Sequence, residues 1–317
     1  MGSADRADPP RNDGAAWRRV PFMPRRIELW ATPGPGGAAA ARVLYQPRRR
    51  ARAAGTAITR FLPGRPVTSL PAPGIETVVQ QVSALAGVCA DAAAAFHSRE
   101  SGRWLFALTS RDGNGVVMKL GPADDDGLAR EGAMLSKLAA SQTTTLQIPR
   151  VRWHGVHENR CVIVTDIVTR RSVTAEPDLE DACAAACALA TSSAGFVVHG
   201  DLAPWNIVPT AIGPAVVDWE DSRFDDDPLH DLAHYVTRSG ALLRAWRPDA
   251  AVRHLRGRGS VGRQYLDVIG LEPDSADEHL ARYLRRPGAQ TSPPTLRRYE
   301  TAMADALESH RRAGTDA

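Results

Sequence analysis

Residues 196 to 208 read FVVHGDLAPWNIV, and three side chains in this stretch have the types and spacing of a phosphoryl-transfer loop. His199, Asp201 and Asn206 fit the pattern H-x-D-x-x-x-x-N, with the carboxamide five positions after the carboxylate. At that spacing Asp201 is expected to sit on a tight loop and accept the proton of an attacking hydroxyl, which makes it the candidate catalytic base. Asn206 is expected to turn its carboxamide oxygen toward a Mg²⁺ ion that bridges the phosphates of a nucleotide. The apolar FVV run ends a strand just ahead of the loop and gives it a rigid support.

A bridging ion needs a second oxygen ligand, and NIVPTAIGPAVVDWE supplies one. This stretch reads as two short strands, 207–208 and 215–217, around a turn at Gly213 and Pro214, so that Asp218 arrives beside the loop of Asn206. Asn206 and Asp218 are therefore the candidate metal ligands. Upstream, Lys119 ends the strand-like GVVMKL and Glu131 opens the amphipathic GLAREGAMLSKLAA. A strand Lys paired with a helix Glu is how kinases hold the α- and β-phosphates, so both residues are expected at the nucleotide. Downstream, DDPLHDLAHY puts Asp231 at a helix start, where a carboxylate caps free amides or holds a neighbouring loop. His199 reads as a packing and hydrogen-bonding scaffold rather than a proton carrier, and Asp231 as structural support.

The elements that must position these groups change character along the chain. Residues 1–24 are polar and rich in Pro and Gly, and are expected to be disordered. Residues 25–75 form an N-terminal extension of unknown role: RRIELWAT is strand-like, TPGPGG a turn, AAAARVLYQ a short helix or strand, and TAITRFL a weaker segment. From Ile75 the pattern sharpens. IETVVQQVSALAGVCA has helical spacing, and RWLFALTS and GVVMKLG are strands about an RDGNG hairpin turn. IPRVRWHGV and RCVIVTDIV are two more strands, and helical segments dominate after residue 168. The expectation is an α+β chain with a small, mostly β N-lobe at 76–167 and a mainly helical C-lobe at 168–317 that carries the catalytic loop.

Composition excludes several alternatives. A formal net charge of +3 over 317 residues makes no case for nucleic acid. Four cysteines without a C-x-x-C pair suggest a reducing interior rather than a disulfide framework. Cys183 and Cys187 stand at i and i+4 in an Ala-rich stretch with no His nearby, and read as small core residues rather than metal ligands. No apolar run reaches membrane-spanning length, and the N-terminus lacks the apolar core of a signal peptide, so the cytoplasm is expected. TPGPGG lacks the Gly-Lys-Ser/Thr of a P-loop, and RRRAR at 48–52 reads as a solvated edge. The acidic cluster Glu220, Asp221, Asp225, Asp226 and Asp227 is either a polar turn or an attractor for a cationic acceptor such as an aminosugar.

The order of Lys119, Glu131, Asp201, Asn206, Asp218 and Asp231 resembles the aminoglycoside phosphotransferase and choline kinase superfamily across roughly residues 76 to 240, best in HGDLAPWN, VVDWE and DPLHDLAHY. The resemblance implies a protein-kinase-like two-lobe fold, ATP and Mg²⁺ as cofactors, and transfer of the γ-phosphoryl to a small-molecule hydroxyl. Aminoglycosides, sugars or glycan precursors, and amino alcohols are the acceptor classes, with much of the acceptor site expected from the C-terminal helices. The resemblance also implies that Thr165 and Ile167, flanking Asp166 at the end of RCVIVTDIV, meet the adenine as the hinge. The chain departs from the kinase pattern in its phosphate-covering loop, HSRESGRW at 97–104, which offers Ser98 and Ser101 and one glycine in place of G-x-G-x-x-G. Only twelve residues separate Asp218 from Asp231, no Ala-Pro-Glu follows, and Ala203 stands where protein kinases place a catalytic-loop Lys, so a protein substrate is not expected. The alternative is a nucleotide-binding regulator or scaffold without turnover, against which the presence of Asp201, Asn206 and Asp218 argues.

Overall fold

A computed structural model describes residues 17–20, 23, 27–44, 66–111, 114–140, 146–171, 178–193, 195–224, 226–286 and 293–315. The RRRAR run, TAITRFL, Asp225 and the disorder expected of residues 1–16 lie outside the described residues. The chain divides into two compact units, one of residues 1–125 and 152–167, the other of 126–151 and 168–317.

The first unit is built on one sheet. Its strands are β1 (Trp17–Arg19), β2 (Ile27–Ala31), β3 (Pro66–Val67), β4 (Ala92–Ser98), β5 (Trp104–Thr109), β6 (Gly115–Pro122), β7 (Val151–His157) and β8 (Arg160–Asp166), in the order β3-β1-β2-β4-β5-β6-β8-β7. The pairing from β2 through β8 is antiparallel, and the register sets Lys119 between Leu105 and Ile163. Aromatic and β-branched side chains that suit a pleated surface fill one face. Trp104 stacks on Trp30 at 5.4 Å and on Phe106 at 5.9 Å, with Met118, Leu120 and Val164 buried in the same cluster. Helix α1 spans Gly34–Leu44 and helix α2 spans Ile75–Leu85. The latter buries Ile75, Val78 and Val82, at helical spacing, in the aromatic cluster. Burying side chains of this size contributes roughly 1.5–3 kcal/mol each. Alternate residues of a strand face opposite ways, so Ala94 and Ala107 form the other face, where Ala40 of α1 packs.

Three features of this unit differ from the sequence reading or go beyond it. Residues 17–19 are a strand although the first 24 residues were expected to be disordered, and Trp17 is buried against Phe106. The stretch 25–75 supplies β2 at the edge of β4, with α1 and β3, so it extends the same sheet and core. TPGPGG, expected as a turn, contributes residues 34–37 to the start of α1.

The second unit is mainly helical. It contains α3 (Asp126–Ala140), α4 (Leu179–Ala190), the short strands β9 (Val197–Val198), β10 (Ile207–Thr210), β11 (Gly213–Val216) and β12 (Arg223–Phe224), then α5 (His230–Arg238), α6 (Pro248–Leu255), α7 (Ser260–Ile269), α8 (Pro273–Leu284) and α9 (Pro294–Thr315). A capping box between Asp178 and Asp181 starts α4, which buries Ala182, Ala185, Ala186 and Ala188. Cys183 and Cys187 lie in that helix with their sulfurs 3.8 Å apart, and the Cys183 thiol reaches the carbonyl of Val261 at the start of α7. A sheet-built first unit and a helical second unit are the α+β arrangement expected of a protein-kinase-like chain. Among the described residues, no helix is long and apolar enough to cross a membrane.

Candidate active site

The candidate loop begins where β9 ends. Val197 and Val198 are buried and pair with β12. The chain then turns at Gly200, which has φ of 87°, and a β-carbon there would lie 2.3 Å from the carbonyl oxygen of Asp221. Only glycine fits both the torsion and the approach. The loop is held from α5: Asp231 accepts the backbone N–H of His199 at 2.7 Å and that of Gly200 at 2.9 Å, one on each carboxylate oxygen. Burial pushes the Asp231 carboxyl up to about 6, against the pull of those two amides. The His199 ring is fully buried and lies edge-on to Trp219 at 4.8 Å. Its Nε2 stands 3.1 Å from the carbonyl of Val217, and burial lowers its pKa to about 4, which keeps it neutral. A neutral ring bonded to a backbone carbonyl acts as a spacer between the loop and the Asp218 strand.

Both oxygens of Asp201 are met by nitrogens from its own unit. Asn206 Nδ2 donates to Oδ2 at 2.9 Å and also to the Asp201 carbonyl at 2.9 Å, while His234 Nε2 lies 2.8 Å from Oδ1. Burial alone would raise the Asp201 carboxyl, but the interaction with His234, supplemented by His199 and then Arg238, outweighs it and holds the group below its ordinary value. The side chain is still 28% exposed, so an acceptor can reach it. With its nitrogen committed to Asp201, the Asn206 carboxamide presents its oxygen away from that residue.

The hairpin of β10 and β11 brings Asp218 to this loop. Ile207 pairs with Val216, and one step further the Val217 N–H donates to the Asn206 carbonyl at 2.9 Å. Asp218 follows at φ of 72°, a left-handed torsion that Asp tolerates better than most residues. Carboxylate and carboxamide oxygens are hard donors of the kind Mg²⁺ takes alongside water and phosphate, so the residues present fit such an ion. Among the described residues, no group of three or more His, Cys, Asp and Glu is arranged to hold a metal. Glu131 of α3 is buried, and its Oε1 lies 3.5 Å from the N–H of Trp219, next to Asp218.

The remaining nucleotide candidates belong to the first unit. Lys119 is half-buried in β6. Ser98 and Ser101 lie at the β4–β5 turn, where Ser98 Oγ accepts the Ser101 N–H at 3.4 Å and Gly102 takes φ of 67°. Thr165, one residue before the end of β8, pairs with Val117, and the Ile167 N–H donates to the Gly115 carbonyl at 3.0 Å.

Four side chains at this site escape the motif reading. Asp231, His234 and Arg238 stand at i, i+3 and i+7, one face of α5. That spacing was the available signal, but nothing local tells which loop the face meets. Tyr283 Oη lies 3.3 Å from His234 Nδ1. Arg286 sits 3.8 Å over the Tyr283 ring and bonds Glu300 at 2.7 Å. Burial holds His234 below its ordinary range against the pull of Asp201, so the ring is neutral and carries one proton. In one tautomer Nε2–H donates to Asp201 and Nδ1 accepts from Tyr283. In the other, Nε2 accepts from Arg238 Nε, 3.0 Å away.

Comparison with known proteins bears on this second unit. Residues 170–267, just under a third of the chain, match the family described as APH, phosphotransferase enzyme family. No curated protein matches the sequence. Among solved structures the chain is similar to a protein of Thermobifida fusca YX-ER1 provisionally assigned as a fructosamine-3-kinase, at 15% identity and a TM-score of 0.48, over 75% of this chain and 100% of that one. A Haemophilus somnus 129PT protein with the same provisional assignment is similar at 10% identity and a TM-score of 0.45, over 73% and 96%. An aminoglycoside-3'-phosphotransferase of type VIII is similar at 15% and 0.36, over 64% and 88%. No residue role follows from likeness at that level. The resemblance to the aminoglycoside phosphotransferase and choline kinase superfamily is met in the segment that holds the catalytic-loop motif, since residues 170–267 match a phosphotransferase enzyme family.

Proposed function

We propose that the protein is an ATP-dependent small-molecule phosphotransferase that moves the γ-phosphoryl group to a hydroxyl, with Asp201 as the base. The observation that supports this most directly is the closure of one polar cluster: Asn206 donates to Asp201 at 2.9 Å, and its carbonyl accepts the N–H next to Asp218 at 2.9 Å. The order and types are those of a phosphoryl-transfer loop and its second metal ligand. An acceptor hydroxyl over Asp201 gives its proton to that carboxylate as its oxygen bonds to the γ-phosphorus, while the bond from that phosphorus to the β,γ-bridging oxygen breaks and ADP leaves with the bonding pair. The transition state is loose, so fixing the carboxylate matters more than making it strongly basic. Asn206 and Asp218 would hold Mg²⁺, which when bound neutralises charge on the phosphates.

In this reading the first unit carries most of the nucleotide and the second unit, residues 126–151 and 168–317, the acceptor. Lys119 offsets phosphate charge, Ser98 and Ser101 lie over the phosphates, Thr165 and Ile167 meet the base, and Glu131 steadies the phosphate end. The test is ATP consumption by the full chain with panels of sugars, amino alcohols and aminoglycosides, in wild type and Asp201→Asn. Acceptor-dependent consumption that disappears in Asp201→Asn is expected. Nucleotide binding without consumption in the wild type would instead mark a regulator or scaffold.

A further inference from the structure

A cavity of about 370 Å³ opens beside the loop of Asp201 within the second unit. Gly200 and His234, the chain neighbour and the hydrogen-bond partner of Asp201, are in its wall. Four arginines, Arg130, Arg223, Arg238 and Arg286, line it with a single carboxylate, Asp221. The two histidines of the wall, His230 and His234, are held neutral, chiefly by burial. The cavity therefore has a cationic lining next to the proposed base.

Two of those arginines are already matched. Arg223 pairs with Asp226, and Arg286 pairs with Glu300 at 2.7 Å. The other two form no ion pair among the described residues, although the charge of Arg238 is felt by Asp201. Arg130 Nη1 donates to the backbone carbonyl of Glu220 at 2.7 Å, and Arg238 Nε faces the neutral ring of His234 at 3.0 Å. Neither has a carboxylate within ion-pair distance among the described residues. Two carboxylates of the acidic stretch are engaged elsewhere: Asp226 pairs with Arg223, and Asp227 pairs with His279 at 3.0 Å and Arg282 at 2.9 Å. A guanidinium presents a planar fork of donors that matches phosphate or carboxylate oxygens.

We propose that the acceptor is a small hydroxyl compound bearing an anionic group, phosphate or carboxylate, held by Arg130 and Arg238 in the cavity beside Asp201. This rests on the phosphotransferase reading above and narrows it. A cationic aminosugar would face Arg130 and Arg238 there, and a neutral sugar would leave both without an ion pair among the described residues.

Calorimetric titration of the full chain with glucose, glucosamine, gluconate and glucose 6-phosphate, with a nonhydrolysable ATP analogue and Mg²⁺ present, tests it. Gluconate and glucose 6-phosphate separate the carboxylate from the phosphate source. At least one of them is expected to bind about tenfold or more tighter than glucose, with glucosamine weakest. Raising the salt should erode that preference. Arg130→Gln and Arg238→Gln should each remove most of the preference, and Arg238→Lys, which keeps the charge without the fork, should restore part of it. Circular dichroism of each variant separates misfolding from lost recognition. Equal binding of glucose and its anionic forms, tighter binding of glucosamine, no binding of either anion, or arginine variants that weaken only the nucleotide would each overturn the proposal. ATP consumption with the same compounds in wild type and Asp201→Asn tells the two readings apart. Unselective transfer that needs Asp201 sinks this inference alone, whereas consumption that survives Asp201→Asn sinks the phosphotransferase reading.

Discussion

His234 Nε2 stands 2.8 Å from Oδ1 of Asp201, on the carboxylate whose other oxygen takes the Asn206 amide at 2.9 Å. A carboxylate clamped at both oxygens has little freedom to swing away from an acceptor hydroxyl. The clamp is itself braced, because His234 is buried and its far nitrogen meets Tyr283.

Replacing His234 by Phe keeps a ring in the buried space and removes the donor. A hydrogen bond to a charged group is worth about 1.5–3 kcal/mol, so kcat should fall by roughly 10- to 100-fold. The KM for ATP should stay within about twofold, because the nucleotide candidates lie elsewhere. His234→Gln, which can still donate, should recover part of the loss. Equal losses in both variants, with lowered melting temperatures, would assign His234 to packing alone.

Gly200→Ala tests the turn that aims Asp201. The new methyl would meet the Asp221 carbonyl at 2.3 Å on a backbone with φ of 87°. Left-handed strain of about 1–2 kcal/mol and overpacking of about 1–3 kcal/mol add, so the melting temperature should drop by several degrees. An unchanged melting temperature would show that the loop has room the geometry denies.

Asp218→Asn isolates the carboxylate from its backbone. Asn tolerates the positive φ of this position, so the fold should persist while the charge is lost. The Mg²⁺ concentration giving half-maximal activity should rise about tenfold or more. Asp218→Ala should do the same and also lower stability by about 1–2 kcal/mol through torsional strain. An unaltered Mg²⁺ requirement in Asp218→Asn would remove the residue from the metal.

The parts of this site that could be read in the sequence are those whose geometry is local. Asp201 and Asn206 share one loop, and the Gly213–Pro214 turn returns Asp218 to it within twelve residues of Asn206. Asp231 was legible as a helix-start carboxylate, though the two loop amides it holds lie 31 and 32 positions away. His234 was not, because its helical face names no partner until α5 is packed on the loop. The same reason hid the membership of residues 27–31 in the main sheet, since Ile27 pairs with Ser98 and nothing between them signals the register. Arg130 on α3, Arg238 on α5 and Arg286 just past α8 are far apart in the sequence, so their meeting in one cavity wall is purely tertiary. The acidic cluster stayed open between two readings for a related reason: its counter-charges on Arg223 and Arg282 could not be assigned from sequence order.

Asp231 offers a prediction in pH. Burial raises its folded pKa to about 6, against about 3.9 for an unfolded Asp, with His199 and Gly200 amides, Arg223 and Asp201 as the groups that face it. Between those values the folded chain binds more protons than the unfolded one, so the contribution to stability is full below pH 4 and is lost as pH rises through 6. Asp231→Asn cannot titrate. The stability of the wild type relative to this variant should therefore decline by on the order of 3 kcal/mol between pH 4 and 7. The amide would also turn an N–H toward one of the two loop amides, so the variant should lose turnover about tenfold at neutral pH. Melting curves at intervals of half a pH unit, for both proteins, give the difference directly. If the two curves run parallel across that range, the carboxyl of Asp231 ionises as freely in the folded chain as in the unfolded one, and the loop is held by a fully charged cap.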